Sequence, residues 1–169
     1  MTLDSRIPDD TIHSAPSTRS RREELVLALL KSAAVARRPA TKVAESRGLS
    51  LAQYNVLRIL RAAGDAGLPT LAIRERMVEE AAGITRLINK LERAGFVRRD
   101  RSESDRRCVL CRLTDQGVAM LDQLDDPIVE ANEGALRILS DADVDQLQRL
   151  LDLIHSRRKR AAAQGRLAG

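Results

Sequence analysis

Arg86, Asn89 and Arg93 recur at three- and four-residue intervals, with Thr85 and Lys90 beside them and Ala82 one turn before. On a helix turning by about 100° per residue, these positions gather on one flank, opposite Ile84, Leu87, Ile88 and Leu91. An arginine fork matches guanine O6 and N7, and an asparagine amide matches adenine N6 and N7, so such a flank suits the edges of base pairs. A second basic set follows: Arg98, Arg99, Arg101, Arg106, Arg107 and Arg112. Gathered within residues 97–112, these arginines are well placed for phosphates, which fix register without reading sequence. Plainer readings exist for both sets. A solvated helix face carries charge, and an edge hairpin uses charge against aggregation. The first sits poorly with a flank that carries almost no acid.

Other chemistries find little support. Cys108-Val109-Leu110-Cys111 has the C-x-x-C spacing, yet residues three apart on a strand face opposite ways at about 10 Å, beyond disulfide reach. Zinc would need two more ligands, and the two histidines, His13 and His155, lie in a tail and near a helix end. The cysteines read as small hydrophobes, with thiol sensing open to an exposed one. No nucleophile motif, glycine-rich phosphate loop or cleft-forming carboxylate pair is present, so neither catalysis nor a cofactor or metal is expected. One Tyr, one Phe and no Trp leave no stacking platform for single-stranded nucleic acid. No apolar run approaches the roughly 18 residues of a membrane span, and the N-terminus lacks a signal core. A cytoplasmic protein with reduced thiols and no membrane partner is the expectation.

The 169 residues carry a net charge of +5, unevenly spread. Residues 83–112 hold nine cations against four acids, whereas residues 113–154 hold two arginines against ten acids. Such a dipolar chain offers one face to a polyanion and keeps the other away. Residues 1–19 lack periodicity and read as a disordered tail. A first helix from Arg21 bears Leu25, Val26, Leu29, Leu30 and Ala33, is kinked or interrupted at Pro39, and ends by Gly48. Ser50 with Gln53 forms a capping box opening a second helix, whose inner face is Tyr54, Leu57 and Leu60. Residues 64–69 read as a loop, with Thr70 capping a short helix that turns Ile73 and Met77 or Val78 inward. The basic helix then runs from about 81 to 94 and stops at Gly95. Residues 96–101 and 107–113 alternate as two strands of a hairpin. Thr114 caps a helix through Val118, Leu121 and Leu124, with a kink or break at Pro127. Ser140 and Asp143 open the last helix, striped by Val144, Leu147, Leu150, Leu151 and Ile154. The order predicts a mainly α protein with a small β-hairpin wing, a winged helix-turn-helix flanked by terminal helices.

The stretch from Thr85 through Val97 into the Arg98-Arg99 pair, then Asp105-Arg106-Arg107, then Leu113-Thr114-Asp115-Gln116-Gly117, resembles the multiple-antibiotic-resistance-regulator (MarR) family of bacterial transcription factors. The resemblance covers about residues 21–160. It implies a homodimer whose terminal helices interlock while two winged domains bind a pseudo-palindrome in double-stranded DNA. By residue, it implies that Arg86 and Asn89 face base edges, that Thr85 and Lys90 touch phosphates, and that Arg107, oriented by Asp105, enters the minor groove. Dimerisation also has its own argument, since Leu25 and Leu29 on the first helix and Leu147, Leu151 and Ile154 on the last have no obvious cover in a lone winged domain. Internal packing of those stripes is the alternative.

The expected organisation is a tail at 1–19, a domain at 20–160 and a flexible tail at 161–169. Within the domain, a winged helix spans about 50–113 and dimerisation helices about 21–46 and 115–160. The expected function is operator repression, relieved by a small-molecule effector of unidentified chemistry. The alternatives are a winged-helix adaptor for proteins and a thiol-responsive regulator. Aromatic pocket residues are scarce, since Tyr54 and Phe96 are expected in the core, and no cysteine lies near the first helix.

Overall fold

The computed structural model describes residues 20–77, 83–101 and 108–167, with side chains in the last stretch as far as Ser156. Six helices and three strands follow in the order α1 (Arg21–Ser46), α2 (Leu51–Ala63), β1 (Leu68–Pro69), α3 (Thr70–Arg76), α4 (Ile84–Arg93), β2 (Val97–Arg101), β3 (Val109–Leu113), α5 (Asp115–Leu136) and α6 (Asp141–Leu167). Two compact units divide between Ala34 and Val35, and the second holds the core.

The core of the second unit is a single apolar cluster. It unites Leu57 and Leu60 of α2, Ile73 of α3, Ile88 and Leu91 of α4, Cys111 of β3, and Leu121 and Leu124 of α5, all fully buried. Burial of this kind contributes about 1.5–3 kcal/mol per large side chain, which explains how helices here tolerate residues that local propensity disfavours. Pro39 and Pro127 were expected to kink or interrupt their helices. Neither interrupts: α1 and α5 continue through them. Each proline removes one backbone bond, but Ala40 and Ala44 beyond the first, and Leu124 and Ile128 around the second, are buried and hold the helical path.

Local signals acted largely as expected. Ser50 Oγ accepts from the Gln53 amide while Gln53 Oε1 accepts from the Ser50 amide, the reciprocal capping box. Ser140 and Asp143 do the same for α6, and bonds from the Ser140 side chain and backbone hold the Asp143 carboxyl below its ordinary pKa. Three expectations need correction. Residues 64–69 are not a plain loop: a 3-10 turn at Gly64–Ala66 leads into β1, which pairs Leu68 with Cys111 and Pro69 with Leu110. The wing hairpin therefore sits in a three-stranded antiparallel sheet of order β1-β3-β2. Thr70 does not cap α3 but is its first residue, because extended Pro69 takes the cap position. Helix α6 continues to Leu167, through alanines of the highest helix propensity, where a flexible tail was expected from 161.

Helices α2 and α5 are joined by a polar cluster at the edge of the core. The Tyr54 hydroxyl donates to Asp125 Oδ1 at 2.8 Å, Arg61 pairs with Asp125 and lies 3.5 Å from Asp122, and the Arg58 guanidinium sits 5.8 Å from the Tyr54 ring centre. Burial, then the hydrogen bond and charge of Asp125, push the tyrosine up to about 12 against the opposing arginines. The fold thus favours the protonated phenol. Its contribution is complete below the usual value near 10 and is lost as pH climbs to about 12, a decline of about 2–3 kcal/mol. Tyr54 is the chain's one tyrosine and there is no tryptophan, so ultraviolet tyrosinate absorbance follows it directly. The expected midpoint near 12 in the folded protein should fall to about 10 in denaturant. A native midpoint near 10 would contradict the contact.

Candidate nucleic-acid interface

Helix α4 is amphipathic, with Ile84, Ile88 and Leu91 buried, Leu87 packed against the core, and Thr85, Arg86, Lys90 and Arg93 exposed. Gly83 precedes it in a left-handed conformation, φ +95°. The outward residues Gly83, Thr85, Arg86, Asn89, Lys90 and Arg93 line one shallow concavity. Among the described residues, Arg86, Lys90 and Arg93 form no ion pair. The helix's acid, Glu92, lies toward the sheet, where Arg99 Nη1 donates to its Oε2 at 2.8 Å. Among the described residues, the flank is therefore a cationic surface without a neutralising acid.

Several contacts fix this helix to the sheet and to α5. After Arg93 the chain turns through Gly95, φ +79°, a conformation that favours glycine. The Phe96 carbonyl then accepts from the Thr114 amide at 3.1 Å, and the Thr114 hydroxyl donates to the Gly95 carbonyl at 2.6 Å. The same hydroxyl oxygen accepts from the Gly117 amide at 3.1 Å, capping α5. A Cβ at Gly117 would lie 2.2 Å from the Phe96 carbonyl oxygen. The L-T-x-x-G run is thus a staple: Thr114 binds the turn that ends α4, and Gly117 lets α5 approach it.

The strand arginines divide by face. Val97 is buried, and Arg99, two residues on, shares its side of β2. Arg99 was grouped with arginines suited to phosphate. Its guanidinium instead turns inward, bonding Glu92 and donating from Nη2 to Asn89 Oδ1 at 2.6 Å. Strict alternation from the core residue Val97 was the signal that could have found this. On the opposite side, Asp100 Oδ2 accepts from Arg98 at 2.6 Å and from Arg112 at 3.0 Å, while Arg112 Nε donates to the Asp65 carbonyl at 2.7 Å. Arg98 remains more than half exposed and Arg101 is exposed at the strand end. Ala82, Asp105, Arg106 and Arg107 lie outside the described residues. Cys111 is buried in the central strand and Cys108 is half-buried just before it, both as free thiols. Among the described residues no group of side chains is arranged to hold a metal, and no helix is long and apolar enough to cross a membrane.

A short helix, a turn, an amphipathic helix with a cationic outer flank, and a basic antiparallel sheet define a winged helix-turn-helix protein. Residues 49–109 match the sequence model of the MarR family. The HTH-type transcriptional regulator PecS of Dickeya dadantii is 31% identical over 112 residues, spanning 65% of this chain and 67% of that one. The crystal structure of a MarR transcription factor from Planctomyces limnophilus superposes with a TM-score of 0.60 at 34% identity, covering 80% of this chain and 98% of that one. A mutant of E. coli MarR complexed with operator DNA has the same fold, with a TM-score of 0.70 at 22% identity over 78% of this chain and 93% of that one. The chain belongs to the MarR family and is a DNA-binding transcriptional regulator.

Proposed function

We propose that the protein is a homodimeric repressor that occupies a pseudo-palindromic operator, with α4 of each copy in the major groove. The observation that carries this reading is the outer flank of α4, where Arg86, Lys90 and Arg93 stand exposed without acidic partners among the described residues. Arg86 reads a guanine edge, Thr85 and Lys90 hold phosphates, and Arg93 meets the groove's rim; Ala82 lies close to the bases. Arg98 and Arg106 contact the flanking backbone, and Arg107, steadied by Asp105, enters the adjacent minor groove. Regulation follows from occupancy of the site and includes no chemical step, in the cytoplasm. An effector would release DNA by changing the separation of the two α4 helices.

The dimer rests on apolar residues left uncovered in the single chain. Leu25 on α1 and Ile154 on α6 are each more than half exposed, and Leu29, Leu147 and Leu151 are half-buried. Two-fold pairing would set the α4 helices about 34–36 Å apart, one turn of DNA. Leu151→Asp is expected to convert the dimer to monomer in sedimentation at micromolar concentration, without loss of helix content. A dimer of unchanged affinity would remove α6 from the interface.

Selection from a random duplex pool with the purified chain tests the whole reading. The expected product is a two-fold sequence with half-sites one turn apart, bound with an affinity that falls steeply with salt. No enrichment, or enrichment of a single unpaired half-site, would sink it.

A further inference from the structure

We infer that Arg99 sets what Asn89 can read, by holding its amide oxygen and leaving its amide nitrogen as the group offered to a base. This rests on the reading of α4 as the DNA-facing helix. Asn89 and Glu92 are three residues apart on one side of α4, and the Arg99 guanidinium spans them, with Nη2 2.6 Å from Asn89 Oδ1 and Nη1 2.8 Å from Glu92 Oε2. A guanidinium has donors and no acceptor, so the amide must turn its oxygen toward Arg99 and its nitrogen away. The fork is well anchored. Arg99 is only 24% exposed, lies on the buried side of β2, and is charge-paired through Glu92.

Asn89 Nδ2, by contrast, has no partner among the described residues and is not shut away from solvent. Asn89 lines the same concavity as Arg86 and Lys90, the surface a base edge would meet. Adenine recognition by asparagine is two-way: the amide oxygen accepts from N6 while the nitrogen donates to N7. Here a charged donor already occupies the oxygen, and the outward NH2 would face the adenine N6 amino group donor to donor. Guanine presents two acceptors, N7 and O6, and suits a donor-only group. The geometry therefore assigns Asn89 to a guanine. Arg99 is a positioning residue that touches no DNA.

The test begins with the selected operator and the full chain. The base pair read by position 89 is the one whose preference disappears in Asn89→Ala. At that pair, the wild type is expected to favour guanine over adenine by about tenfold, and deazaguanine lacking N7 should bind more weakly. Arg99→Met, which removes the donors at similar length, frees the amide to rotate and should collapse or reverse that ratio while preferences elsewhere persist. Arg99→Lys, which keeps one donor, should largely restore it. An adenine preference in the wild type, or equal weakening at all four base pairs in Arg99→Met, overturns the inference and leaves the DNA-facing role of α4 standing. So does an Asn89→Ala profile identical to wild type. The deazaguanine arm uses unaltered protein, so a poorly folding variant does not remove the test. Failure of the wild type to bind any duplex overturns both readings together.

Discussion

Gly117→Ala is expected to destabilise the protein by about 2–4 kcal/mol, a large effect for a single added methyl group. The new Cβ would stand 2.2 Å from the Phe96 carbonyl oxygen and 3.0 Å from a Leu113 methyl. Neither neighbour can yield freely. The Phe96 carbonyl is bonded to the Thr114 amide, and the Gly117 amide is bonded to the Thr114 hydroxyl. Relief would require α5 to move away from the turn that ends α4, breaking the staple between them. Gly134→Ala on the same helix provides the contrast. Nothing lies within 4 Å of its Cβ position, and alanine there should stabilise by about 0.5–1 kcal/mol through helix propensity. Urea unfolding of the two variants should give opposite signs. A Gly117→Ala protein as stable as wild type would show that the close approach is absent in solution.

Arg86→Ala is expected to weaken binding to the selected operator by about 1–3 kcal/mol and to relax preference at a single base pair in each half-site. Its side chain is exposed on α4 and makes no ion pair among the described residues, so its removal should leave stability nearly unchanged. Lys90→Ala distinguishes base readout from charge. It should weaken all duplexes alike and reduce the salt dependence by the equivalent of about one phosphate contact per copy. Titrations of operator and unrelated duplex at several salt concentrations separate the two outcomes. Uniform weakening by Arg86→Ala would make Arg86 a phosphate contact, and no effect from either variant would move the interface off this flank.

Much of this structure could be read from one-dimensional pattern. Burial of Ile84, Ile88 and Leu91 beneath exposed Arg86 and Arg93 follows from helical period, since a helix has only one apolar side to give to a core. The caps at Ser50, Thr114 and Ser140 involve partners three residues away, so local sequence contains everything that forms them. By the same reasoning, a cationic-flanked helix followed by a basic hairpin was enough to indicate a winged helix-turn-helix.

Other features depend on groups brought together across the chain. β1 is two residues long and exists because β3, more than 40 residues later, supplies its hydrogen bonds. Gly117 is required by a carbonyl at Phe96, and α1 and α5 pass through prolines because buried neighbours beyond them outweigh the lost backbone bonds. Composition made Arg99 one more cation for phosphate, whereas the packing of β2 against α4 turned it inward onto Asn89 and Glu92. Sequence determined which residue types reach the surface, because periodicity and burial are local consequences of hydrophobicity. Tertiary structure decided which charges are left over for a partner, because a hydrogen bond between distant groups depends on distance in space.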